Sequence, residues 1–189
     1  MHAFIHIPKT AGTAVRHMLR SAFGPRHCDI KVPVSRRDTH PWVTEQDLQF
    51  ARRVYPRLES ICGHRLVCSS NLETSFPTIR YFTFLRDPVE RFISHFHHFH
   101  RGRTEACCEE DVLAYARQPA HRNVQTRWIC GEEDAHLAIH TLETRIRRVG
   151  IKEEYAKSLM LLRHWLKLPT SAICPAVRNP AKGKANLPF

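Results

Sequence analysis

Residues 8–13 read Pro-Lys-Thr-Ala-Gly-Thr, and further along the chain Ser94 follows Arg86 by eight positions. The first group puts a point charge (Lys9), two hydroxyls (Thr10, Thr13) and a glycine that permits close backbone approach (Gly12) into one short turn. That is chemistry for holding a phosphate or a sulfate. Its order is not the G-x-x-x-x-G-K-[ST] of the familiar nucleotide-binding loop. In the second group, Arg86 offers a planar fork of donors, and Ser94 lies about two turns along the next helix at 3.6 residues per turn. A guanidinium with a nearby hydroxyl suits a second anion. Each group also has a plainer reading. The first could be a strand–turn–helix connection that carries one lysine, and the second an Arg86–Asp87 ion pair at a helix start. Two such groups in one chain suit a ligand with phosphate at both ends.

The flanking sequence supplies the elements that would position these residues. Ala3–Ile7 is a short apolar run ended by Pro8, hence a buried strand. Gly12 to about Phe23 is helical, with Val15, Met18, Leu19 and Phe23 on one face. The turn between them presents backbone N–H groups without internal partners, where a helix dipole favours an anion. Thr78–Leu85 (TIRYFTFL) reads as a central strand, and Asp87-Pro88 opens the following helix with proline where its missing N–H costs nothing. Asp87 can cap that helix or orient Arg86. Ser60–Gly63 is a further short strand. Thr44 caps a helix that Pro56 stops. Glu109–Arg117, Glu133–Arg145 and Glu153–Lys167 are expected helices, and Val149–Ile151 a brief strand. Gly24–Val43 is expected to be a loop, and Ala172–Phe189 an irregular basic tail. Strands alternating with helices imply an α/β fold, a central, mainly parallel sheet flanked by helices in three layers.

A chain of 189 residues is long enough to bury a core and is expected to form one domain over 1–189. No run reaches the ~18 apolar residues needed to span a bilayer. The apolar start is too short for a signal peptide, so a full-length chain is expected to be cytoplasmic. The seven cysteines lack paired C-x-x-C spacing and read as reduced, mostly buried thiols. A net charge of +11 with 14 histidines uncounted attracts anions such as nucleotides, nucleic acid or acidic glycans, without choosing among them.

HIPKTAGT followed by LRDPVERFISHF resembles the sulfotransferases that use 3′-phosphoadenosine 5′-phosphosulfate, and within them the branch of carbohydrate 2-O-sulfotransferases and their bacterial relatives. The resemblance continues in order through CGHRL, NVQTRWICG and VGIKEEYAKSL. It implies a P-loop-like fold and an O-sulfotransferase that leaves adenosine 3′,5′-bisphosphate and needs no metal. It further implies that Lys9, Thr10, Ala11, Gly12 and Thr13 line the sulfate end of the nucleotide, and that Arg86 and Ser94 hold the 3′-phosphate. The family often has glycine where Ala11 stands, a change expected to leave the loop intact.

Sulfuryl transfer needs positioning, offset of spreading negative charge and a proton acceptor for the attacking hydroxyl. Lys9 would offset charge on the departing phosphate. Histidine suits the acceptor role near neutral pH. His64 follows a short apolar strand and opens a loop, and relatives place their base histidine in a Gly-His at this point. Some relatives have His-Gly-His where this chain has Cys62-Gly63-His64, which implies a single base. The plainer reading is that His64 only bonds a loop carbonyl. His6 is expected to be a hydrogen-bonded core or cleft residue. On the helix that carries the run HFHHFH (95–100), Phe92, Phe96 and Phe99 share a face and should pack inward. The histidines beside them lack a carboxylate or cysteine to complete a metal site. Arg127, with Asn123, Gln125 and Thr126, is a candidate for cofactor or acceptor contact or else a solvated residue at a helix cap. Lys182 and Lys184 could close over the adenosine phosphates or belong to a free tail.

The acceptor hydroxyl is expected on a carbohydrate, suited by a basic cleft. An ATP-using kinase-like enzyme is the second reading, weakened by the loop order and by the lack of an acidic strand end for magnesium. A basic nucleic-acid-binding protein is the third, weakened by the lack of an aromatic platform or recognised motif.

Overall fold

The computed structural model describes residues 1–101 and 108–169. Five strands are present: β1 (His2–Ile5), β2 (His27–Asp29), β3 (Ser60–Gly63), β4 (Arg80–Leu85) and β5 (Ile146–Ile151). Seven α-helices accompany them: α1 (Gly12–Phe23), α2 (Glu45–Val54), α3 (Pro88–Phe99), α4 (Glu109–Arg117), α5 (Val124–Cys130), α6 (Ala135–Thr144) and α7 (Tyr155–Trp165). The sheet order is β2-β3-β1-β4-β5, and every pairing is parallel. The α/β expectation therefore holds.

Alternation along the strands divides the core between the two faces of the sheet. Ala3, Ile5, Ile61 and Tyr81 pack with Leu48 and Ala51 of α2, Val124 and Ile129 of α5 and Ala138 of α6. Phe4, Phe82 and Phe84 point the other way, against Val15, Met18 and Leu19 of α1 and Leu159 and Leu162 of α7. Both faces being covered is why β1, β3 and β4 read as nearly unbroken apolar runs. Each fully buried phenylalanine on these strands contributes about 2–3 kcal/mol.

Three sequence expectations are corrected. The loop expected over Gly24–Val43 contains β2, an edge strand of three residues paired with β3. Its polar composition hid it; His27 is buried because Ser60 Oγ and Asp29 Oδ1 partner its two ring nitrogens at 3.0 and 3.2 Å. The polar stretch from Asn123 to Arg127, over which no helix was expected, caps and opens the helix α5, with Asn123 at its N-cap. Phe99 is 68% exposed; the apolar contact of α3 with Val112 and Tyr115 of α4 is made by Phe96, with Phe92 partly buried against it. The segment Ala172–Phe189, with Lys182 and Lys184, lies outside the described residues. Among the described residues no helix is long and apolar enough to cross a membrane.

Candidate anion and transfer site

β1 and β4 are neighbours, with Ile5 opposite Thr83, so the turns that follow them leave the same edge of the sheet side by side. A hollow lined by Met1, His2, Leu58 and Phe76 lies at the opposite, amino end of the strands. In parallel α/β sheets ligands bind outside the carboxyl ends, so that hollow is not the candidate site.

After β1 the backbone turns twice through the left-handed region, at Lys9 (φ 71°) and Ala11 (φ 72°). In consequence the N–H groups of Lys9, Thr10, Ala11, Gly12 and Thr13 donate to no backbone carbonyl among the described residues; the first to do so is Ala14, to Ala11. Successive free N–H groups in such a turn form a concavity for an anion, reinforced by the start of α1. Thr10 departs from expectation: its side chain is fully buried and its hydroxyl donates to the Ile7 carbonyl at 3.0 Å. The proton goes to the turn, which leaves Thr10 only its backbone N–H to offer. Thr13 is exposed. Desolvation, then Arg101 and Arg86, hold the Lys9 ammonium below the usual lysine range, so Lys9 sits among like charges.

Alanine in the left-handed region costs about 1–2 kcal/mol, part of which a glycine would give back to unfolded-chain entropy. Ala11→Gly is therefore expected to raise stability by about 1 kcal/mol, or roughly 2–4 °C in melting temperature. A melting temperature that falls would show that the Ala11 methyl makes a favourable contact.

Arg86 stands where β4 ends. Its backbone N–H donates to Gln125 Oε1 at 2.9 Å, and Gln125 Nε2–H donates back to the Arg86 carbonyl at 2.7 Å, so the α5 side chain extends the strand pairing by one residue. The guanidinium donates to the Lys9 carbonyl at 3.4 Å and to Glu90 at 3.0 Å. Arg86 thus pairs with Glu90, not Asp87; Asp87 caps α3 by accepting from the Glu90 N–H at 2.9 Å. The two turns that the sequence set apart touch directly through Arg86 and Lys9. Ser94 is partly buried on α3, and Arg91 lies three residues before it on the same face. Arg127 donates to the Ala120 carbonyl at 2.7 Å and pairs with Glu133 at 3.7 Å.

His64 emerges from the end of β3. Gly63 before it is required, since a Cβ there would stand 2.7 Å from the Ile30 carbonyl oxygen. His64 Nδ1 lies 2.8 Å from the His6 carbonyl. A carbonyl only accepts, so Nδ1 carries the proton and Nε2 keeps a free lone pair. The rings of His6 and His64 stack with centroids 3.9 Å apart. His6 in turn lies on Gly12, where a Cβ would come within 1.9 Å of the imidazole. The anion turn and the histidine are therefore built against each other. His64 is exposed as a residue, and the ring face stacked on His6 is covered. Desolvation lowers its pKa against the raising effect of the His6 hydrogen bond, and the charges of Arg16 and Arg65 lower it further. Burial holds His6 lower still, at about 3. Both rings are neutral at pH 7.

Sequence reasoning missed the wall beyond His64. Trp128 Nε1–H donates to the His64 carbonyl at 2.7 Å, Trp42 meets Trp128 edge-on at 5.5 Å, and the Arg65 guanidinium lies 5.9 Å above the Trp42 ring. Trp128 was legible only as the residue that follows a polar stretch, and nothing in the local sequence joins it to residue 42. Among the described residues, no cluster of three or more His, Cys, Asp or Glu side chains is placed to hold a metal ion.

A parallel α/β sheet here carries, at its carboxyl edge, two touching cation-led turns and a neutral histidine, an arrangement suited to phosphate or sulfate groups. Residues 3–138 match the model of the sulfotransferase family, and the chain belongs to that family. A crystal structure of a sulfotransferase from Alicyclobacillus acidocaldarius shares the fold, with a TM-score of 0.52 and 15% identity over 94% of this chain and 84% of that one. No curated protein matches the chain. Family and fold together support an enzyme that moves a sulfuryl group.

Proposed function

We propose that the protein transfers a sulfuryl group from 3′-phosphoadenosine 5′-phosphosulfate to a carbohydrate hydroxyl. The observation that carries this reading is the contact between the two turns, in which Arg86 reaches the Lys9 carbonyl beside five N–H groups that donate to no backbone carbonyl among the described residues. A nucleotide with phosphate groups on both its 5′ and 3′ positions can engage both turns at once. Lys9 and the N–H groups of 9–13 would hold its 5′ end, and Arg86 and Ser94 its 3′-phosphate. When bound, the nucleotide supplies a sulfuryl group on a phosphate leaving group.

In the transfer, the acceptor oxygen forms a bond to sulfur as the bond between sulfur and the phosphate oxygen breaks, and the electron pair of the broken bond stays on the phosphate. His64 Nε2 takes the proton of the acceptor hydroxyl. Lys9 and the N–H groups of the turn offset the charge that grows on the phosphate oxygen. The Trp42–Trp128 corner supports a sugar as acceptor, because indole faces pack against pyranose C–H groups while Arg65 offers a charge to an acidic substituent. Arg127 and, beyond the described residues, Lys182 and Lys184 remain in this proposal as further nucleotide contacts; the bonds of Arg127 to Ala120 and Glu133 would have to rearrange for that.

Thermal shift tests the donor reading. Adenosine 3′,5′-bisphosphate at 100 times its Kd should stabilise the protein by about 2.7 kcal/mol without magnesium, and ATP should do much less. Equal shifts with ATP only in the presence of magnesium would replace the reading by a kinase-like one.

A further inference from the structure

Arg91 is only 4% exposed, yet its Nη1 is buried and has no hydrogen-bond partner, and no carboxylate pairs with it among the described residues. Among the described residues, the charges that reach it are those of Arg86 and Arg127, both repulsive, and the Tyr115 hydroxyl favours its cation. A buried guanidinium without a counter-charge is costly, and most proteins avoid one. Arg91 cannot escape by losing its proton, because arginine stays charged in proteins. Its position supplies a reason for the cost. It sits on α3 between Arg86 and Ser94, three residues from the serine and so on the same helical face. His95, the next residue of that face, is within the electrostatic reach of both Arg91 and Lys9, which turns the face toward the anion turn.

We propose that Arg91 is an anion-binding residue whose missing counter-charge is a phosphomonoester held between it, Arg86 and Ser94. The proposal rests on the donor reading above and adds to it a third cation and a consequence for stability. Among the described residues, the ligand-free protein carries an uncompensated buried charge at this position. A terminal phosphate removes the penalty when it binds, so this arm of the site trades ligand-free stability for affinity. Arg86 and Arg127 keep carboxylate partners in Glu90 and Glu133, which leaves Arg91 the least compensated of the three arginines among the described residues.

The test uses the full chain with Arg91→Met, which keeps length and removes charge, and Arg91→Lys, which keeps charge. Melting temperature is measured without ligand, and affinity for adenosine 3′,5′-bisphosphate and for adenosine 5′-monophosphate is measured by calorimetry. Arg91→Met is expected to melt at or above the wild-type temperature. Its preference for the bisphosphate over the monophosphate should fall by about 10–100-fold, the worth of charge-assisted hydrogen bonds, and Arg91→Lys should retain part of it. An undiminished preference in Arg91→Met overturns the proposal, as does a lower ligand-free melting temperature in both variants. If the wild type binds neither nucleotide, the donor reading falls by itself, and inorganic phosphate then decides the anion site. Stabilisation of the wild type but not of Arg91→Met supports it, and equal stabilisation of both overturns it.

Discussion

Lys9→Ala is expected to reduce the rate of sulfuryl transfer by about 10²–10³-fold, the usual cost of removing one preorganised group that meets developing charge. The side chain sits in a turn whose N–H groups already favour an anion, so binding of the product nucleotide should weaken less than turnover does. The fold should survive, because the ammonium makes no ion pair among the described residues and stands among the charges of Arg101 and Arg86. Removing a like charge from that group can even raise ligand-free stability. Single-turnover measurements with saturating donor and acceptor separate the two effects. A Lys9→Ala enzyme with near-normal turnover would assign charge offset to the backbone N–H groups alone.

His64→Gln is expected to cost about 10²–10⁴-fold in turnover, the range for a lost general base. Glutamine can still donate to the His6 carbonyl, so the variant tests the free Nε2 lone pair rather than the loop. The pH profile gives an independent check. A protonated His64 cannot accept a proton, so activity should fall as pH drops through its folded pKa. Desolvation with the charges of Arg16 and Arg65 holds that pKa below the ordinary 6.5, so the acid limb should lie below pH 6.5. The limb should disappear in His64→Gln. A limb that persists there, with turnover intact, would move the base to another residue, and His95, partly buried and within electrostatic reach of Lys9, is the next candidate.

The local sequence determined the scaffold of the site. The run from Gly12 to Phe23 gave α1 with the bounds read from its periodicity, and Ser60–Gly63 gave β3 the same way. These elements were legible because their apolar spacing and their stops (Pro8, Gly24, Pro56) act within a few residues. The placement of Lys9, Arg86 and His64 at strand ends or helix starts, and of Ser94 two turns along α3, followed from the same punctuation. The sulfotransferase fold was legible too, since two motifs of defined order carry it and the family match supports it.

Tertiary structure alone decided which partners these side chains would meet. Thr10 reads as an anion donor until the turn closes and takes its proton for the Ile7 carbonyl. Asp87 and Glu90 are equally placed in sequence to pair with Arg86, and the capping geometry of α3 assigns Asp87 to the helix and Glu90 to the arginine. β2 forms because β3 offers it an open ladder, not because His-Cys-Asp favours a strand. His64 receives its tautomer from a carbonyl 58 residues away, and Trp42 meets Trp128 across 86 positions of chain. The charge of Arg91 is plain in the sequence, but its lack of a counter-charge is not. Periodicity reports which face of an element is buried; it carries no information about which polar group from a distant segment will be waiting there.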